Sequence, residues 1–240
     1  MSIARRQARI TSVSGFPHFS ASQPLLPGVA HLVIADLSQH GEKCEHWRSC
    51  LSEPELMRGG RLRKVEDQHR FITGRGILRT LLGGSMQINP MQAPIEFNQY
   101  GKPMLPAHIP IKFNIAHSEN IAVYALALEE VGVDIERVRD DFATAAHARQ
   151  FMSGEELGAF EALDGRARPE YFFQIWTQKE AYLKGTGEGL LRPTDVTLPG
   201  AGSTLGGWSI QSISVHPAYC SAVALRSTQC AIRLWSFDAM

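Results

Sequence analysis

The chain has 240 residues, 44% of them hydrophobic and 20% charged, with 24 Lys+Arg balanced by 24 Asp+Glu. That composition predicts a packed globular core, and the zero net charge argues against a nucleic-acid binder held mainly by phosphate contacts. Cysteines 44, 50, 220 and 230 form no Cys-x-x-Cys pair, so neither a zinc site nor a disulfide framework is expected and reduced thiols are the default.

The charges are unevenly placed. Residues 1–129 carry 14 basic and 10 acidic groups, and residues 130–240 carry 10 and 14. A basic half facing an acidic half would suit a polyphosphate on one side and a cation on the other; chance scatter of surface charge would give the same numbers. The basic N-terminus lacks the apolar run of a signal peptide, and no stretch reaches the roughly 18 apolar residues of a membrane span. A cytoplasmic protein with no membrane or nucleic-acid partner is expected.

In chain order, residues 1–30 read as an irregular lead-in rich in Ser, Pro and basic groups. Residues 31–37 (HLVIADL) read as a first strand. Residues 51–82 are helical in composition, with Pro54 where a helix could start and Gly83-Gly84 and Asn89-Pro90 as breaks. After the turn-rich 98–103 (NQYGKP), residues 111–115, 121–128 and 131–136 (VGVDIE) read as strands of a central antiparallel sheet. The second half repeats the order, with helices over 142–163 and 171–184 and strands at 208–215, 221–226 and 231–237. Helices followed by a small sheet, twice over, suggest a duplicated α+β unit. The division expected is an N-terminal lobe, 1–129, and a C-terminal lobe, 130–240.

Four places carry candidate chemistry. Asp134 and Glu136 are two apart on a strand and so share a face, their α-carbons roughly 6–7 Å apart. They could converge on one divalent cation, although a strand end with two solvated acids would read the same. Over 171–184 (YFFQIWTQKEAYLK), Trp176, Glu180 and Lys184 follow at intervals of four along a helix, before Gly185, Gly187 and Gly189 open a loop. This is compatible with a third metal ligand and a phosphate-binding lysine, and equally with a surface ion pair. Carboxylates without nearby His or Cys favour a hard cation, best Mg²⁺. The run 58–79 holds Arg58, Arg61, Arg63, Lys64, Arg70, Arg75 and Arg79 against Glu66 and Asp67, well shaped for phosphate or simply a solvated basic face. Lys102 sits in a Gly-Lys-Pro turn. His117, with Asn114 before it and Ser118 after, could bind phosphate oxygens or serve as a structural hydrogen-bonder.

Gly101-Lys102-Pro103, Phe113-Asn114-Ile115-Ala116-His117-Ser118, Gly132-Val133-Asp134-Ile135-Glu136 and the segment from Trp176 to Lys184 occur in the order seen in the 4′-phosphopantetheinyl transferases. The chain resembles the larger branch of that family, which activates peptide synthetases and polyketide synthases, over roughly residues 51–192. The resemblance implies two pseudo-symmetric α+β subdomains with the active site in the cleft between them. It implies Mg²⁺ on Asp134, Glu136 and Glu180, with Glu180 and Lys184 catalytic. It also implies that Arg58, Arg70, Arg75, Lys102, Asn114, His117, Ser118 and Lys184 meet coenzyme A. The phosphopantetheine arm would go to a serine of an apo carrier protein, and a fused double unit favours a monomer. One departure is Ala116, where the family usually has Ser. A different Mg²⁺-dependent phosphotransferase or phosphohydrolase, or a non-catalytic coenzyme A sensor, are the competing readings.

Overall fold

Residues 29–36 form β1 (Val29–Asp36), and all but the last are buried. A strand covered on both faces needs no polar alternation, which is why its sequence reads as a near-continuous apolar run. The computed structural model describes residues 15–20, 23–187, 196–198 and 204–237; Gly189 and part of the expected lead-in lie outside them. β1 lies in a four-stranded sheet, between β5 (Ile121–Ala127), which pairs with it antiparallel, and β10 (Ala231–Ser236), which pairs with it parallel. β4 (Lys112–Ser118) completes the sheet against β5.

Helices α1 (Cys44–Cys50), α2 (Glu53–Gly60) and α3 (Val65–Met86) follow β1 in the chain. The core on one face of the sheet joins Trp47, Ile77, Leu78 and Leu82 of these helices to Val33, Tyr124 and Leu126. Pro54 lies in the first turn of α2, behind a capping box of Ser52 and Glu55. The expected break at Gly83-Gly84 is corrected: both belong to α3, which ends at Gln87 in the left-handed conformation, φ 57°. Gly83 is demanded by packing, since a Cβ there would come within 2.9 Å of the Ile88 carbonyl.

Opposite faces of β1 and β5 present Leu32, Ile34, Val123 and Ala125 to Val133, Ile135, Val223 and Leu225 of a second sheet. This sheet runs in the order β6 (Val131–Arg137), β9 (Tyr219–Leu225), β8 (Trp208–Ile213) and β7 (Thr204–Leu205), antiparallel throughout. Two expectations are corrected here. VGVDIE does not extend the first sheet but begins the second, and residues 231–236 leave the second half to pair with β1. The last strand therefore crosses the division expected at residue 130. The 142–163 segment is two helices, α4 (Ala145–Phe151) and α5 (Gly154–Glu161), separated where Ser153 and Glu156 form a capping box. α6 (Ala167–Thr186) packs on the outer face of the second sheet, through Ala181 against Trp208, Ile210, Ala222 and Ala224. The result is two α+β lobes with their sheets back to back. β2 (Glu96–Phe97) and β3 (Pro103–Met104) form a separate hairpin.

Candidate active site

β6 and α6 approach so closely that no side chain fits between them at one point. A Cβ on Gly132 would stand 2.0 Å from the Ala181 carbonyl and 2.3 Å from the Gly185 nitrogen. Gly185, expected to open a loop, lies inside α6, where its own Cβ would meet Trp208 at 2.6 Å. This glycine contact, two residues from Asp134 and one from Lys184, places the two chemistry-bearing segments side by side. Lys184 Nζ donates to Asp134 Oδ1 at 2.5 Å.

Asp134 is only 3% exposed, and its second carboxylate oxygen is buried with no hydrogen-bond partner among the described residues. Burial pushes its pKa up to about 7 against the pull of Lys184, and the charges of Glu136 and Glu180 push the same way. Glu136 is also raised by burial, although Ser118 Oγ donates to its Oε2 at 2.9 Å. The three carboxylates feel one another's charge, one has an orphaned oxygen, and carboxylate oxygens are the donor type a hard divalent cation prefers. Among the described residues, however, no three His, Cys, Asp or Glu side chains are gathered tightly enough to hold a metal ion. Asp134 is instead paired with Lys184.

Cations gather beside the acids. His117 stands at the surface of β4, but the surrounding protein and then the charges of Lys184 and Arg70 hold its pKa below the ordinary value. Arg70 is steadied by Asn120 Oδ1 and Asp67 Oδ1, both 2.9 Å away. Asp134, Glu136, Glu180, Lys184, His117, Arg70 and Ser118 are thus linked through contacts and mutual charge effects.

The other expected residues are placed differently. Arg58 and Arg75 flank the Phe71 ring, 5.6 and 5.9 Å from its centre, in a recess of about 220 Å³ that Glu55 and Arg79 also line and Asp134, Glu136 and Glu180 do not. Arg75 Nη1 is buried there without a hydrogen-bond partner among the described residues. Asn114 is buried, and its Oδ1 accepts from Val133 N at 3.0 Å, so it joins the two sheets. The Lys102 ammonium is held by the Gly185 carbonyl at 2.7 Å and Glu130 at 3.3 Å. Ala116 is buried in the core between the sheets.

Sequence reasoning missed Gly132 and Gly185 as packing residues, Asn98 as a turn-former tied to α6, and the buried pair Lys179–Glu156. Lys179 Nζ lies 2.6 Å from Glu156 Oε2 and 2.8 Å from the Phe151 carbonyl. The only available signals were a lysine inside an otherwise apolar helical stripe and an asparagine four residues before Lys102.

The model of the 4′-phosphopantetheinyl transferase superfamily matches residues 130–236, which include β6 and α6. The 4′-phosphopantetheinyl transferase HetI of Nostoc sp. is 30% identical over 223 residues, spanning 89% of this chain and 94% of the relative. The chain belongs to the 4′-phosphopantetheinyl transferases. Another member, the transferase Sfp of Bacillus subtilis, is 29% identical over 154 residues, 64% of this chain and 68% of its own. A third, gsp of Aneurinibacillus migulanus, is 32% identical over 129 residues, 54% of this chain and 53% of its own. As a phosphopantetheinyl transferase, the enzyme moves a phosphopantetheine arm onto a carrier protein. No described helix of it is long and apolar enough to cross a membrane.

Proposed function

We propose that the enzyme takes the arm from coenzyme A with the help of Mg²⁺ and releases adenosine 3′,5′-bisphosphate, the reaction centred on Asp134, Glu136, Glu180 and Lys184. The observation that carries this reading is the short Lys184–Asp134 contact, which brings a cation and the buried carboxylate together beside His117 and Arg70. Arg70, His117 and Lys184 are the groups that would bind the coenzyme's phosphates, and the recess of Arg58 and Arg75 offers a further anion site. Asp134, Glu136 and Glu180 would hold Mg²⁺, which when bound neutralises charge on the pyrophosphate.

In the step itself, the carrier serine oxygen attacks the β-phosphorus of coenzyme A, and the bond to the bridging oxygen breaks. The electron pair leaves with adenosine 3′,5′-bisphosphate. Glu180, the half-exposed acid on α6, takes the serine proton. Lys184 stabilises the departing phosphate with its ammonium. Ser118 keeps Glu136 oriented by donating to it.

The test is intact-mass analysis of several apo carriers incubated with enzyme, coenzyme A and Mg²⁺. A gain of one phosphopantetheine, lost with chelator or when the carrier serine is alanine, is expected. Transfer that persists in excess chelator would remove the metal from the proposal, and coenzyme A binding without transfer to any carrier would favour a sensor.

A further inference from the structure

We propose that Asn98 and Lys102 are positioning residues that close the C-terminal end of α6 and so hold Lys184 against Asp134. The last carbonyls of an α-helix find no partner within it and must take donors from elsewhere. α6 ends with Gly187 in the left-handed conformation, φ 67°, its N–H returned to the Leu183 carbonyl at 3.1 Å. The carbonyls of Gly185 and Gly187 are taken up by the 98–102 turn. Lys102 Nζ donates to Gly185 O at 2.7 Å, and Asn98 Nδ2 donates to Gly187 O at 3.1 Å. An ammonium at this end also meets the negative pole of the helix dipole.

Asn98 is used at both ends. Its Oδ1 accepts from the backbone N–H groups of Tyr100 and Lys102, each at 2.9 Å, and its own N–H donates to Lys102 O at 3.0 Å. One side chain therefore shapes the turn and ties it to the helix. Glu130 fixes Lys102 from the other side at 3.3 Å and also pairs with Lys112 at 3.4 Å. The fit at Gly187 is close, since a Cβ there would come within 2.9 Å of Lys102 Cδ.

The turn lies in the first half of the chain and α6 in the second. The capped carbonyls are one and three residues beyond Lys184. Displacing a catalytic group by about 1 Å can cost on the order of 100-fold in rate, so a cap at this distance acts on turnover through Lys184.

The role given to Lys184 rests on the proposed transfer reaction, so the first measurement is made without it. Asn98→Asp keeps the oxygen that shapes the turn and removes the donor to Gly187. Hydrogen exchange of the free enzyme is expected to quicken about 3- to 10-fold in residues 183–187, the equivalent of one lost hydrogen bond, while Tyr100 and Lys102 amides stay protected. In steady state, kcat should fall by about 10-fold or more with KM for coenzyme A changed less than about threefold. Should Asn98→Asp fail to fold, Lys102→Met is measured in the same way, and Lys102→Arg, which keeps a donor, should recover most of the rate. Unchanged exchange in residues 183–187, or a loss confined to KM, overturns the cap. A wild-type enzyme inactive on every carrier defeats the transfer reading alone, because the exchange measurement still decides the cap.

Discussion

Asp134 is a buried carboxylate whose protonation is coupled to folding. In the folded chain its pKa is lifted to about 7, above the ordinary value of about 4. A raised pKa means that the neutral form is favoured on folding, so this contribution to stability is present at acid pH and is lost as pH rises through about 7. A divalent cation on Asp134, as proposed, would compete with that proton. Mg²⁺ is therefore expected to raise the melting temperature more at pH 8 than at pH 6, and Asp134→Asn to abolish the gain. An equal Mg²⁺ effect at both pH values would argue against Asp134 as a ligand. Glu180 supports a second expectation. Glu180→Gln should lower kcat by about 100-fold or more, as loss of a general base does, with an unchanged thermal melt. A variant turning over at near-normal rate would take Glu180 out of the chemistry.

At the scale of elements, two glycines set the register between β6 and α6, and one buried ion pair ties α6 to the helices before it. Gly132→Ala would press a methyl group into the α6 backbone. The outcome expected is a poorly folded chain or one without transfer activity; a stable, active variant would contradict the close approach. Lys179 and Glu156 tie α6 to the end of α4 and the start of α5, and Glu156 also accepts from Leu198 N at 3.2 Å. Lys179→Met leaves the carboxylate buried without its ammonium and should cost about 3–5 kcal/mol. Adding Glu156→Leu should return much of that, and if the double variant melts no higher than the single one, the stranded charge is not the cause. β6 and α6 were both legible in the sequence, because an apolar β-branched run and a helical apolar stripe are local patterns. Gly132 and Gly185 were not legible as packing residues, because only the neighbouring backbone makes them necessary. The contact of Lys102 with the end of α6 was not legible for a similar reason: a lysine in a turn carries no local sign of the helix end it reaches.

In the whole molecule, two α+β units share one core between their sheets, and Asn114, Lys102 and β10 cross from one to the other. The duplicated order of helices and strands was readable from composition and turns. The return of residues 231–236 to β1 was not, since strand pairing over some 200 residues leaves no trace in local periodicity. That strand contributes more than an edge. Trp235 stacks on the buried His31, their rings 5.8 Å apart, and donates to its Nδ1 at 3.2 Å. Truncation after Cys230 should remove several kcal/mol, at about 1 kcal/mol for each ladder hydrogen bond, a large share of a typical domain's 5–15 kcal/mol. Denaturant melts would test this, and a truncated chain as stable as the whole would mean that β10 is dispensable.

The same strand sets the order of events during synthesis. The parallel neighbour of β1 is not translated until roughly 200 residues after it, which at about 5–20 residues per second is a delay of about 10–40 s. Throughout that interval one edge of β1 offers unpaired backbone groups to any other nascent chain. The first lobe is thus begun before the second and finished after it, and its yield in the cell should depend on how well that waiting edge is shielded.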